Sequence, residues 1–429
     1  MVNSKTSSIE GFYKKSLEER LSLLQSFAGL SAEEMGLLKK SGALDMETAN
    51  RMVENVFSTH PLPLGIATNF KINGREVLIP FAIEEPSVVA AASNAAKLCR
   101  DSGGFIAEAD ESIMFGQIQL VKVPNPEDAV KQILSKKKEL LEQAKSRDST
   151  LVKLGGGPVD LNAKILASPR GKMVIVVLDV NVLDAMGANA VNTMCESLAP
   201  QLEELTGGKA RLRILSNLAS KRLVRAKAVW LKKDLEESAK GEIKGEEIVE
   251  GILDAWAFAY ADPYRAATHN KGIMNGIDAV AVATGQDWRA LEAGAHSYAS
   301  LSGKYLPLTK FSKDKNGNLV GEIELPIAVG LVGGATKTHP LAQIALKILG
   351  VKTAKELACV MASVGLANNF AALRAMVTEG ISKGHMKLHA KNVAASAGAE
   401  GKQIDAIAEK MISEKNVSFS RAKEILENP

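Results

Sequence analysis

Four segments decide the fold: FGQIQLVKV at 115–123, LNAKIL at 161–166, KMVIVVLDV at 172–180 and ARLRILS at 210–216. Each is short and rich in aliphatic residues, as strands are. Between the first two, Pro126 to Lys145 has helical character, and Asn189 to Leu205 repeats it between the last two. The order strand, helix, strand, strand, helix, strand is the split β-α-β pattern of a ferredoxin-like domain.

Outward from this unit the rhythm changes. Ser16 with Glu19 and Ser31 with Glu34 are spaced as capping boxes ahead of leucine-rich runs, which predicts a helical lead-in. From Phe70, FKINGREVLIPFAI predicts a hairpin turning at Asn73-Gly74. Its second strand leads to Glu84-Glu85-Pro86-Ser87 and an alanine-rich helix that starts at Pro86 and stops by Gly103. After residue 221, KAVWLKKDLEESAK and Glu246 to Ala261 read as helical, a Gly-containing run from Asn270 to Ala299 follows, and Ile344 to Ile381 is helical again. The tail carries Ile404, Ile407 and Met411 on one helical face.

The expected architecture is therefore α+β. A large, mostly helical domain (1–111 and 222–379) is interrupted by the ferredoxin-like unit (112–221), and a small helical domain (380–429) follows. A chain of 429 residues is long enough for two or three cores.

Composition narrows the function. Hydrophobic residues make up 46%, charged residues 24% and aromatics 4%, so the chain is globular and its cores are aliphatic. The formal charge of +4, without basic blocks interleaved with aromatics, gives no expectation of nucleic-acid binding. Cys99, Cys195 and Cys359 stand far apart and read as reduced thiols of a cytoplasmic protein. No apolar run has the length of a membrane span, so neither membrane insertion nor export is expected.

Two motifs bear on chemistry. Asp184-Ala185-Met186-Gly187-Ala188-Asn189 follows a strand and opens a helix, the arrangement of an anion site, although the three-glycine dinucleotide fingerprint is absent. An ordinary strand-to-helix turn has the same spacing. Lys271, between His269-Asn270 and Gly272-Ile273-Met274, reads as an ammonium held near a core and available to an oxyanion. His385 and His389 lie one helical turn apart, but no third ligand is near, so no metal is expected.

Six blocks together resemble the class II, soluble 3-hydroxy-3-methylglutaryl-coenzyme A (HMG-CoA) reductases: ENVFSTHPLPLGIATNF (54–70), EEPSVVAAAS (84–93), DAMGANAVNTMCE (184–196), NKGIMNGIDAVAVATGQDWRALEAGAH (270–296), VGGATKTHP (332–340) and GHMKLHAKN (384–392). They run in order over nearly the whole chain.

The resemblance implies a four-electron reduction of HMG-CoA to mevalonate and coenzyme A with two NADH or NADPH, by a homodimer with its active sites between subunits. It implies catalytic roles for Glu85, Lys271, Asp287 and His385, the first three titrating as one coupled unit. Ser87, Arg265, Asn217 and Asn275 are implied substrate contacts. Asp148, Asp184, Met186, Gly187 and Asn189 are implied cofactor contacts, and a carboxylate at 148 leans the choice toward NADH. Ser58, His60-Pro61 and Asn368 depart from the family pattern. Two further readings stand beside this one: the same enzyme running oxidatively on mevalonate, and a catalytically silent binding protein on the same scaffold.

Overall fold

A computed structural model describes residues 5–40, 42–378 and 380–427, except for the side chains of Pro86 and residues 381–388. His385 is among these, so its side chain lies outside the described residues.

Among the described residues ten strands form two sheets. They are β1 (Leu64–Ile72), β2 (Arg75–Ala82), β3 (Phe105–Ala109), β4 (Ile113–Val121), β5 (Gly157–Ser168), β6 (Gly171–Asn181), β7 (Lys209–Ser216), β8 (Leu223–Trp230), β9 (Thr309–Lys313) and β10 (Leu319–Pro326). One sheet has the order β2-β1-β3-β8-β10-β9 and the other β5-β6-β4-β7. In the second, every neighbouring pair is antiparallel. Its order is that of the split β-α-β unit expected from residues 112–221.

Local chemistry accounts for the elements. Both capping boxes form: Ser16 and Ser31 accept the amides of Glu19 and Glu34, whose carboxylates accept in return from the serine amides. Asn73 (φ 49°) and Gly74 (φ 79°) turn the β1–β2 hairpin, because successive positive φ angles match the right-handed twist of the strands.

The larger sheet was only partly legible. KAVW, expected as helix, completes β8, whose burial alternates along LVRAKAVW as a strand requires. The helix begins only at Lys232. The large unit thus contains a six-stranded sheet among its helices.

That sheet packs on the Ala354–Val377 helix, which is buried along most of its length. Trp230 ties the layers. Its ring stacks on Phe370 with centroids 3.9 Å apart, and its Nε1 donates to the carbonyl of Ala95 at 3.0 Å. Removing such a side chain costs about 3–5 kcal/mol. Length and apolarity alone would let the same helix cross a membrane, yet here it is mostly enclosed by the core. The inserted unit has a separate core built on Met114, Ile118, Val176 and Leu198. A third core, around Ile407 and Met411, gathers the C-terminal helices.

Candidate functional site

Glu85 caps the Pro86–Leu98 helix directly beyond β2. Its Oε1 accepts from the hydroxyl of Ser87 at 2.8 Å and from the Ser87 amide at 3.4 Å. The same oxygen lies 3.3 Å from Nε2 of His389, on the C-terminal Ile381–Ser396 helix. Both side chains are half-buried. Asn368 steadies this region from the central helix, its Nδ2 donating to the carbonyl of Val88 at 3.0 Å.

Lys271 does not sit near a core. It is exposed, while Asn270, Ile273 and Met274 are buried. The helix period is part of the reason: Ile273, two positions on, points to the opposite face. Lys271, Asn275 and Asp278 follow one another along the Pro263–Ala283 helix at i, i+4 and i+7. The charge of Lys271 helps to hold Glu292 below its ordinary range, an effect led by the hydrogen bond from His296. His296 Nε2 lies 2.6 Å from Glu292, and its Nδ1 lies 2.7 Å from the Tyr305 hydroxyl. Burial, reinforced by Glu292, pushes Asp278 up to about 8. The two carboxyls are thus pushed in opposite directions, Asp278 up and Glu292 down.

Asp287 caps the Trp288–Ala299 helix, accepting the amide of Ala290 at 3.1 Å, and Nη2 of Arg289 lies 3.5 Å from it. It too is exposed. No ion pair joins it to Lys271 among the described residues. Between Lys271 and the helix end at Ala283 the axial rise alone is about 18 Å. Asp287 lies beyond the far end of the helix that carries Lys271.

Arg265 lies in the first turn of the Pro263–Ala283 helix, partly buried, with Nη2 3.8 Å from Met376 Sδ. No carboxylate pairs with it among the described residues. Burial lowers its pKa, and its charge adds to the burial that drives His269 to about 3. Asn275 is half-buried and Asn217 exposed. A cavity of about 300 Å³ lies between the ends of β2 and of this helix, lined in part by Ser58, His60, Ala82, Ala283 and His339. A larger cavity, about 900 Å³, covers one face of the six-stranded sheet and touches none of the expected site residues.

The turn 184–189 carries the Ala188–Thr206 helix on Gly187, at φ 107° and with no side-chain cap. A Cβ at Gly187 would lie 2.6 Å from Val182 Cγ1. A 19-residue helix with an uncapped N-terminus fits the phosphates of a dinucleotide. Asp184 faces away from that opening: its Oδ1 accepts the amide of Ala354 at 2.7 Å. Met186 is half-buried and Asn189 exposed. Asp148 caps the short Ser149–Lys153 helix, accepting the Leu151 amide at 2.9 Å.

Sequence reasoning missed three participants. His389 was visible only as the partner of His385 in spacing; Glu292 and Asp278 lie within a quoted motif, but nothing in spacing shows them facing each other. Among the described residues no group of three or more His, Cys, Asp or Glu side chains could hold a metal.

Comparison with known proteins adds the family. The profile of hydroxymethylglutaryl-coenzyme A reductase matches residues 16–390. The chain is 58% identical to the 3-hydroxy-3-methylglutaryl-coenzyme A reductase of Archaeoglobus fulgidus over 422 residues, 98% of this chain and 94% of that one. It is similar to a solved 3-hydroxy-3-methylglutaryl-coenzyme A reductase from Streptococcus pneumoniae, with a TM-score of 0.83, 43% identity, and coverage of 98% of this chain and 99% of that one. A class II reductase structure from the same species, bound to NADPH in open conformations, gives 0.81 and 44%, covering 96% and 99%.

Proposed function

Because the chain belongs to the hydroxymethylglutaryl-coenzyme A reductase family, we propose that it reduces (S)-HMG-CoA to (R)-mevalonate and free coenzyme A with two NAD(P)H, through mevaldyl-CoA and mevaldehyde. The observation that carries this is the meeting of Glu85, in the EEPS motif, with His389, in the GHMKLHAKN motif. Two segments far apart in sequence converge on one carboxylate.

The residues divide the work. A bound nicotinamide supplies hydride to the acyl carbon. Lys271 stabilises the oxyanion that develops at the thioester, a role that needs fixed charge in a water-poor site. His385 protonates the departing thiolate, which suits an imidazole on a helix able to close over the coenzyme. Glu85 donates the proton to the aldehyde oxygen in the second reduction, held in place by Ser87 and His389, while Asp287 adjusts its charge. Arg265 grips the substrate carboxylate, with Asn217 and Asn275 nearby. The turn 184–189 and Asp148 take the dinucleotide.

This assigns the substrate and dimerisation unit to 1–111 with 222–379, the dinucleotide unit to 112–221 and a closing flap to 380–429. Exposure supports the homodimer. Lys271 and Asp287 are open to solvent, and Tyr264, Val282 and Trp288 on the same two helices are exposed apolar groups. A partner chain would bury them and exclude water. Since about 18 Å of helix separates Lys271 from Ala283, we assign Lys271 and Asp287 of one active site to different chains.

The test follows nicotinamide absorbance and free thiol together, with HMG-CoA and either NADH or NADPH. Two nicotinamides oxidised per thiol released support the reading, and the faster cofactor shows what Asp148 selects. No oxidation with either cofactor overturns it.

A further inference from the structure

Arg222 is the buried charge that the proposed mechanism leaves unexplained. It is 4% exposed, and no carboxylate pairs with it among the described residues. Its guanidinium is spent on backbone: Nη1 donates to the carbonyls of Ala185 and Met186, both at 3.2 Å, and Nη2 to the carbonyl of Val329 at 2.6 Å. Burial draws its pKa down to about 10, against the opposing charge of Asp184, so it stays protonated. A buried guanidinium with no carboxylate in direct contact is costly. What it gains here is a fixed backbone.

The backbone it holds is strained and tightly packed. Leu183 enters the turn at φ 51°, a conformation that side chains with a Cβ rarely adopt. Next to Val329 stands Gly330, where a Cβ would lie 2.5 Å from the amide nitrogen of Met186. Gly330 is in turn gripped by Gln286, whose Oε1 accepts its amide at 2.8 Å and whose Nε2 donates to its carbonyl at 2.9 Å. Gln286 immediately precedes Asp287. Arg222 therefore ties the turn 184–189 to the segment 329–330, which packs closely on it, and Gly330 is pinned to the segment bearing the candidate catalytic carboxylate.

We propose that Arg222 is a positioning residue for the nicotinamide dinucleotide: by fixing the carbonyls of Ala185 and Met186 it aims Gly187 and the first amides of the Ala188–Thr206 helix at the pyrophosphate. This rests on the reading of 184–189 as the dinucleotide turn. The role is one of geometry, because the guanidinium itself is enclosed and does not face the ligand.

The experiment measures binding directly on the full chain by calorimetry, titrating NADPH and NADH without acyl-CoA, and HMG-CoA without dinucleotide. Arg222→Gln removes the hydrogen bonds that hold the turn, and Gly330→Ala crowds its backbone. Each is expected to weaken dinucleotide binding by about tenfold or more, as misplacement of a preorganised contact does, and to leave the HMG-CoA Kd unchanged. Arg222→Lys is expected to recover part of the loss. A folded Arg222→Gln protein that binds dinucleotide like the parent overturns the proposal. Should that variant fail to fold, Gly330→Ala decides, and an unchanged dinucleotide Kd there overturns it. If the parent binds neither dinucleotide, the proposed function itself fails.

Discussion

Nε2 of His389 lies 3.3 Å from Oε1 of Glu85, so a residue of the C-terminal helical unit reaches the first turn of a helix in the large unit. The contact makes the C-terminal unit part of the site rather than an appendage. Glu85→Gln is expected to lower kcat by about 10²–10⁴, the range of a lost general acid, with little change in the KM for HMG-CoA. His389→Gln loosens the contact that positions the Glu85 carboxyl and is expected to lower kcat by about ten- to a hundredfold. In a Glu85→Gln background the second substitution should add little, because the partner it acts through is gone. Steady-state kinetics of the two single variants and the double variant check this; additive losses would separate the two residues.

Lys271 and Asp287 provide a test of subunit assignment. Lys271→Met and Asp287→Asn are each expected to cost about 10³-fold in kcat, as loss of electrostatic stabilisation does. If the two residues of one active site come from different chains, each mixed dimer keeps one site with both defects and one with neither. Unfolding and refolding the two inactive proteins together should then restore about a quarter of the parent activity, from statistical dimer formation. No recovery would place both residues of a site on one chain.

Glu76 gives the expected acid dependence of stability. Burial raises its pKa, but Arg100, whose Nη2 lies 2.7 Å away, and Ser7 outweigh it and lower the carboxyl to about 2 from an ordinary 4.5. With the folded value below the unfolded one, the contribution is complete above about 4.5 and is lost as pH falls toward about 2. Glu76→Gln is therefore expected to reduce stability at neutral pH and to flatten its dependence across that window. Denaturant titrations at a series of acid pH values would show it.

Gly276→Ala addresses the packing under Lys271. A Cβ there would lie 2.1 Å from Asn368 Oδ1 and 2.6 Å from Val364 Cγ1, where the Pro263–Ala283 and Ala354–Val377 helices cross. Overpacking of this kind costs about 1–3 kcal/mol. A lowered midpoint in chemical denaturation, with unchanged slope, is the expected result.

Much of this fold was legible because its signals are local. The capping serines, the Asn73-Gly74 turn and the period of residues 112–221 each determine a few backbone angles without distant partners. The six-stranded sheet was less so, since β8 pairs with β3 and with β10 across long separations. KAVW satisfies a helix as readily as a strand until β10 lies beside it. At the site, motif resemblance supplied the residues. Spacing gave no sign that Lys271 would be exposed, that the Asp184 carboxylate would cap the Ala354–Val377 helix, or that Arg222 would clasp the turn. Those relationships depend on which faces meet, a property of the packed chain.

The pairing of β3 with β8 also governs the order in which the molecule can be made. Phe105–Ala109 emerges with a single paired position, Ile72 with Phe105, on its β1 side, and its other edge stays open until Leu223–Trp230 has been synthesised. The whole four-stranded unit lies between them, with a core of its own. On a growing chain, that unit has all its strands before the sheet flanking it can close. The exposed edge of β3 is thus an aggregation hazard during synthesis, lasting as long as translation takes to cross the insertion.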